Sequence, residues 1–147
     1  MLEARKENRS IPLVIFIDLK DYSLSEGPSP KVPTIVELLD QVIQRKWRRE
    51  DHGEIPFTAQ DIIDLVRKDG AIIIFDGLDE KTVHLNDGQA REFIRTLWSI
   101  GILEKDCRGK MVIGCRSHYF ATAMDQNLLL TGDLREGCLL YTSPSPR

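Results

Sequence analysis

A chain of 147 residues is long enough for one ordinary domain with its own core. At 41% hydrophobic and 29% charged, with a net charge of -3, it has the profile of a globular chain and no excess of cations for a sustained nucleic-acid surface. The longest apolar runs, Ile11 to Ile17 and Ala71 to Phe75, are far too short to cross a bilayer, no secretory-signal pattern follows Met1, and three cysteines without paired spacing argue against a disulfide framework or a zinc site. A cytoplasmic location is the expectation, with Cys107 exposed near a turn and Cys115 a small strand residue.

Residues 1–10 are polar and charged and read as a ragged start. Ile11 to Ile17 reads as a strand, with Pro12 tolerable only near its beginning or on an edge. The breakers Ser23, Ser25, Gly27, Pro28, Ser29 and Pro30 make residues 22–32 a loop. Pro33-Thr34 opens a helix through about Arg49, with Ile35, Leu38, Leu39, Val42 and Ile43 at helical spacing on one face. Arg45, Lys46, Arg48 and Arg49 gather at its end, where cations suit the helix dipole. Thr58 with Asp61 three residues on marks a second helix start, and Gly70 its end. A strand runs from Ala71 to Asp76. A third helix is predicted from Gly88 to about Glu104, burying Phe93, Ile94, Leu97, Trp98 and Ile102. Lys110 to Cys115 is a third strand, ending at Arg116, and a short helical pattern spans residues 121–126. Strands alternating with helices predict an α/β fold: a parallel sheet of three strands with right-handed crossovers and flanking helices.

The ten residues from Ala71 to Glu80 carry the chemistry. A branched and aromatic run reads as a buried parallel strand. It delivers Asp76 to the carboxyl end, where open α/β sheets place their ligands. Gly77 allows a sharp turn, and Asp79 and Glu80 follow at once. Three acids there need a counter-cation, and beside phosphate oxygens the usual one is Mg²⁺. The third strand ends in a cation, Arg116, so Arg116 and Asp76 are expected at one edge of the sheet. A guanidinium there can contact a terminal phosphate.

The run Ile73-Ile74-Phe75-Asp76-Gly77-Leu78-Asp79-Glu80 resembles the extended Walker B motif of NACHT domains, in the STAND class of P-loop NTPases (an ASCE branch). Lys110 through Phe120 resembles the strand and sensor 1 arginine that follow it, and Cys115-Arg116-Ser117-His118-Tyr119-Phe120 is especially similar to bacterial NACHT proteins. Residues 11–22 resemble the strand between the P-loop helix and Walker B. The resemblance covers roughly residues 11–126. It implies that Asp76 positions Mg²⁺, that Glu80, with Asp79, orients or deprotonates the attacking water, and that Arg116 senses the terminal phosphate. It further implies a signalling switch held closed by ADP and opened by ATP into a homo-oligomer, with bacterial members implicated in antiviral defence against phage.

No G-x-x-x-x-G-K-[ST] phosphate loop occurs in the 147 residues. The resemblance places that loop just upstream of Ile11, so the expectation is a partial NTPase domain over residues 11–137 lacking its P-loop segment and its C-terminal sensor region. The strand through Met111 is then expected to show a bare edge, and the chain to bind ATP weakly and to self-associate. Residues 138–147 resemble the translation of a transposase-type sequencing adapter and are set apart from the fold. A regulatory scaffold without catalysis, or another ASCE ATPase such as an AAA-like protein, is the alternative. Among the remaining residues, His118 reads as a capping or packing residue, His52 and His84 fall in loops, and Trp47 and Trp98 read as core anchors. The cluster Arg45 to Arg49 reads as a solvated helix end, because Glu50 and Asp51 follow it.

Overall fold

The computed structural model describes residues 11–25, 27, 30–47, 57–102, 104–116 and 138–143. Its centre is a four-stranded sheet in the order β1 (Val14–Asp18), β2 (Ile72–Asp76), β3 (Lys110–Arg116) and β4 (Cys138–Ser143), every neighbour parallel. The α/β class and parallel pairing are those expected. Register aligns Ile15 with Ile73 and Ile17 with Phe75, then Ile73 with Met111 and Phe75 with Ile113. These side chains are buried and form one face of the core.

Three helices lie against that face because each has one apolar stripe and a fixed start. Helix α1 (Ile35–Val42) begins at a capping box in which Thr34 and Glu37 satisfy each other's backbone N–H, and it buries Ile35, Leu38, Leu39 and Val42. Helix α2 (Ala59–Arg67) repeats the device with Thr58 and Asp61 and buries Ile62, Ile63 and Val66. Helix α3 (Leu78–Thr82) is one turn and a fraction, and helix α4 (Asp87–Trp98) starts at Asn86 boxed with Gln89 and buries Phe93, Ile94 and Leu97. Thr96 Oγ1 donates to Pro33 O at 2.8 Å, tying α4 to the segment that enters α1.

Four expectations need correction. The helix predicted from Gly88 to Glu104 stops at Trp98: Gly101 turns into the left-handed region at φ 102°, and the Arg67 guanidinium takes up the freed carbonyls. Arg67 Nε donates to Ile100 O at 2.7 Å and Nη2 to Ser99 O at 3.3 Å, so a side chain from α2 does the work of a C-cap. The first helix gives way after Val42 to a π turn over Ile43–Trp47. Cys107 is half-buried, its Sγ 3.9 Å from Val66 O. Finally, the edge of β3 is not bare. Residues Cys138–Ser143 pair along it from Met111↔Cys138 to Arg116↔Ser143, satisfying backbone groups that would otherwise template association. Arg48, Arg49, His52, Ser117 to Phe120 and the short helix expected over residues 121–126 fall outside the described residues, as does the Trp47 side chain.

Strand β1 is the other edge, and Pro12 lies just before its first residue. Its inward residues Ile15 and Ile17 are buried while Val14 and Phe16, on the opposite face, are each 53% exposed. No helix among the described residues is long and apolar enough to cross a membrane.

Candidate functional site

The carboxyl ends of β1, β2 and β3 bring together the residues singled out for chemistry. Strand β2 ends at Asp76, and Gly77 reverses the chain at φ 79°, a conformation that glycine adopts without steric cost. The Gly77 N–H donates to Asp76 Oδ1 at 2.9 Å, so the turn itself orients the carboxylate. Leu78, fully buried, then anchors α3, and Thr82 Oγ1 donates back to Leu78 O at 2.8 Å. With Leu78 and Thr82 inward, Asp79 and Glu80 occupy the first helical turn, where carboxylates suit the exposed N–H dipoles.

Strand β3 supplies the cation. Arg116 Nη2 lies 3.0 Å from Glu80 Oε1, and Nε lies 3.6 Å from Asp79 Oδ2. The Arg116 backbone N–H also faces Asp79 Oδ1 at 3.4 Å. Asp79 is the more enclosed of the two acids, with its side chain 11% exposed against 48% for Glu80. The guanidinium thus closes over both acids of α3, and among the described residues its ion pairs run to them and not to Asp76.

Strand β1 adds a carboxylate that the motif reading missed. Asp18 stands in register with Asp76. Its Oδ1 accepts the Lys20 N–H at 3.1 Å and its Oδ2 meets Lys20 Nζ at 2.7 Å. That hydrogen bond, helped by the charge of Asp18, raises the Lys20 ammonium above its ordinary range. Lys81, directly after Glu80, reaches back to donate to Tyr22 O. Arg45 Nη1 donates to Asp21 O at 3.2 Å and to Ser23 Oγ at 2.6 Å, so the segment after β1 is held from two sides. Burial, and then the nearby Arg45 charge, lowers the Lys81 ammonium from its ordinary value. The signal for Asp18 was present in the chain: Ile15-Phe16-Ile17-Asp18 ends an apolar run as Ile73-Ile74-Phe75-Asp76 does.

One further group reports the field of the site. Cys115 is buried one residue before Arg116, and its thiol is pushed up to about 11, first by burial and then by the negative charges of Asp79 and Asp76. Gly114 lies beside Asp76 on the adjacent strand, so closely that a Cβ there would overlap the Asp76 carboxylate.

Mg²⁺ is the metal the sequence reading assigns to Asp76. Among the described residues no three His, Cys, Asp or Glu side chains gather into a ligand cage. Mg²⁺ needs less than that: it keeps several waters and is held by one or two carboxylates together with substrate phosphates. An exposed Asp76 with one oxygen fixed by Gly77 and a second carboxylate, Asp18, beside it suits such binding. The concave surface lined by Arg67, Lys68, Glu104 and Arg108 is at the opposite, amino end of the strands and shares no residue with this site. No family model, curated protein or solved structure matches the chain.

Proposed function

We propose that this chain is part of a Mg²⁺-dependent, ATP-binding and ATP-hydrolysing signalling switch of the NACHT type, a partial P-loop NTPase core working in the cytoplasm. The observation that carries the reading is the joint placement of Asp76, Asp79, Glu80 and Arg116. An acid ends one parallel strand, two more follow a left-handed glycine turn, and the arginine ending the next strand closes on them. Motif order alone could arise by chance, whereas convergence of all four at one sheet edge supports a phosphate-handling site.

In this reading Asp76 binds the cation directly or through its waters, Glu80 orients or deprotonates the attacking water with Asp79 beside it, and Arg116 contacts the terminal phosphate. Bound Mg²⁺ would supply charge neutralisation between phosphate oxygens. Arg116 cannot contact a phosphate and keep both ion pairs at full strength, so nucleotide competes with Glu80 and Asp79 for the guanidinium. That competition links the phosphate to the freedom of the water-orienting acid. The partners are ATP or ADP, a phosphate-loop segment contributed by sequence outside these residues, a C-terminal sensor region, and other copies of the protein on activation. Defence against phage is the expected setting.

Titration of the chain with ATP, with and without Mg²⁺, followed residue by residue by NMR, tests the reading. The expected result is weak, millimolar binding that requires Mg²⁺, perturbs Asp76 to Glu80 and Arg116, and disappears in Asp76→Ala. Perturbation confined to residues far from this edge refutes it, and submicromolar ATP binding refutes the expectation that these residues alone bind ATP only weakly. Sequence from both sides of the reading frame gives a second arm. A Gly-rich loop ending in Lys-Ser or Lys-Thr upstream supports the ATPase, and an intact gene starting at Met1 without one favours the interaction scaffold.

A further inference from the structure

A glycine in the interior of a strand weakens the sheet and commonly marks a place where something approaches the backbone closely. Gly114 is such a residue. It is in β3, in the same region as the buried Ile113 and Cys115. The backbone does not explain it: among the described residues the positive-φ glycines are Gly27, Gly70, Gly77 and Gly101. Space does. A Cβ on Gly114 would lie 3.5 Å from Asp76 Cα and 3.2 Å from Asp76 Cγ, and would overlap Oδ1 outright. That oxygen is the one that accepts the Gly77 N–H at 2.9 Å. Two glycines therefore act on a single carboxylate oxygen: Gly77 holds it with a hydrogen bond and Gly114 leaves the room it occupies.

We propose that Gly114 is a positioning residue for the site, its missing side chain forming the seat in which the Asp76 carboxylate is held against the Gly77 N–H. The inference rests on the reading of Asp76 as the metal-binding acid, and it adds a residue outside that motif. A side chain at position 114 turns the carboxylate away from Gly77. Because the overlap falls chiefly on the outer end of an exposed side chain, Asp76 can rotate and the sheet survives. The expected loss is in the placement of the acid, with little loss of fold.

The test compares the unsubstituted chain, Gly114→Ala, Asp76→Ala and the double variant, by the Gly77 amide resonance, the thermal midpoint and Mn²⁺-induced line broadening. In Gly114→Ala the Gly77 amide should move to the position it takes in Asp76→Ala, because both lose the same hydrogen bond. Mn²⁺ affinity should fall roughly tenfold to a hundredfold, as for other residues that orient a metal ligand. In the Asp76→Ala background, adding Gly114→Ala should leave the Gly77 amide unmoved and should not lower the midpoint. If Gly114→Ala fails to fold, recovery of folding in the double variant supports the seat, and failure of both shows that the overlap is with the backbone and overturns it. An unmoved Gly77 amide in a folded Gly114→Ala overturns it equally. Absence of Mn²⁺ broadening around Asp76 in the unsubstituted chain refutes the metal reading alone, since the amide and the double variant report on the seat without metal.

Discussion

Cys115 offers a quantitative check on the electrostatics of this edge. Its thiol is 8% exposed at the residue level and its pKa is raised from 9.0 to about 11 by burial, with Asp79 and Asp76 adding to the effect. The folded state therefore favours the protonated thiol. Below the unfolded value the thiol is neutral in both states and the stabilisation is fully present. Between 9.0 and about 11 the unfolded chain has released the proton and the folded chain has not, so stability falls as pH rises. Two pKa units at about 1.4 kcal/mol each give a total loss of about 2–3 kcal/mol, complete above the folded value. Urea unfolding across this range, on the unsubstituted chain and on Cys115→Ala, measures it. The substitution adds a cavity cost that does not vary with pH, so the difference between the curves decides the matter. Tyr22, raised by burial and then by Glu37, and the lysines titrate in both chains and cancel. The two curves should converge by about 2–3 kcal/mol between roughly pH 8.5 and 11. Parallel curves refute the account. With Cys107 and Cys138 replaced by serine, Asp79→Asn should also speed alkylation of Cys115 near pH 9.5, because a negative charge that opposes the thiolate is gone.

Other substitutions separate packing from capping and pairing. Phe75 is fully buried between the sheet and its helices, and Phe75→Ala should cost about 3–5 kcal/mol in urea unfolding; a cost below 1 kcal/mol would mean that Phe75 is not in the core. Thr58→Ala removes one half of the box that starts α2 and should cost about 1 kcal/mol, with a matching rise in amide exchange at Asp61, whose N–H meets Thr58 Oγ1 at 3.2 Å. Acid should weaken the same cap: the hydrogen bonds from Thr58 hold the Asp61 carboxyl below its ordinary value, so its contribution is present above the usual carboxylate range and is lost as pH falls through the depressed value. Ending the chain at Gly137 strips β3 of its partner strand, and light scattering should then show self-association; a monodisperse truncated chain would show that the β3–β4 pairing contributes little.

Much of this arrangement is written in local pattern. The strands announce themselves as apolar runs ending in a charged residue, and the helix starts as Thr or Asn with an acid or amide three positions on, because capping is a short-range hydrogen-bonding problem that the sequence solves locally. Asp76, Asp79, Glu80 and Arg116 could be picked out because motif spacing along the chain maps directly onto a sheet edge. Several features that pattern does not give depend on contacts distant in sequence. Helix α4 ends where Arg67, 33 residues earlier, reaches Ile100 O. The half-buried Lys81 is explained only by Tyr22, 59 residues before it. Gly114 reads as an ordinary strand glycine until Asp76 is placed against it. The pairing of β4 is hidden for a different reason: residues 138–147 resemble an adapter sequence, yet a backbone edge accepts a strand of any origin whose donors and acceptors match.

The strand order has a consequence for the site. With β1, β2 and β3 adjacent in that order, the right-handed rule for parallel crossovers puts the described helices between β1 and β2 and between β2 and β3 over the same face. That face holds Ile15, Ile17, Ile73, Phe75, Met111 and Ile113 and is buried beneath α1, α2 and α4. Residues of the opposite parity point the other way. Val14 and Phe16 are exposed there and Ile72, Ile74 and Val112 are half-buried, although a parallel sheet is normally covered on both faces. Continuing along the same parity leads to Asp18, Asp76, Gly114 and Arg116. The acids and the arginine are therefore the polar end of the less-covered face. The Cys115 thiol senses Asp76 and Asp79 from the other, buried side of that end.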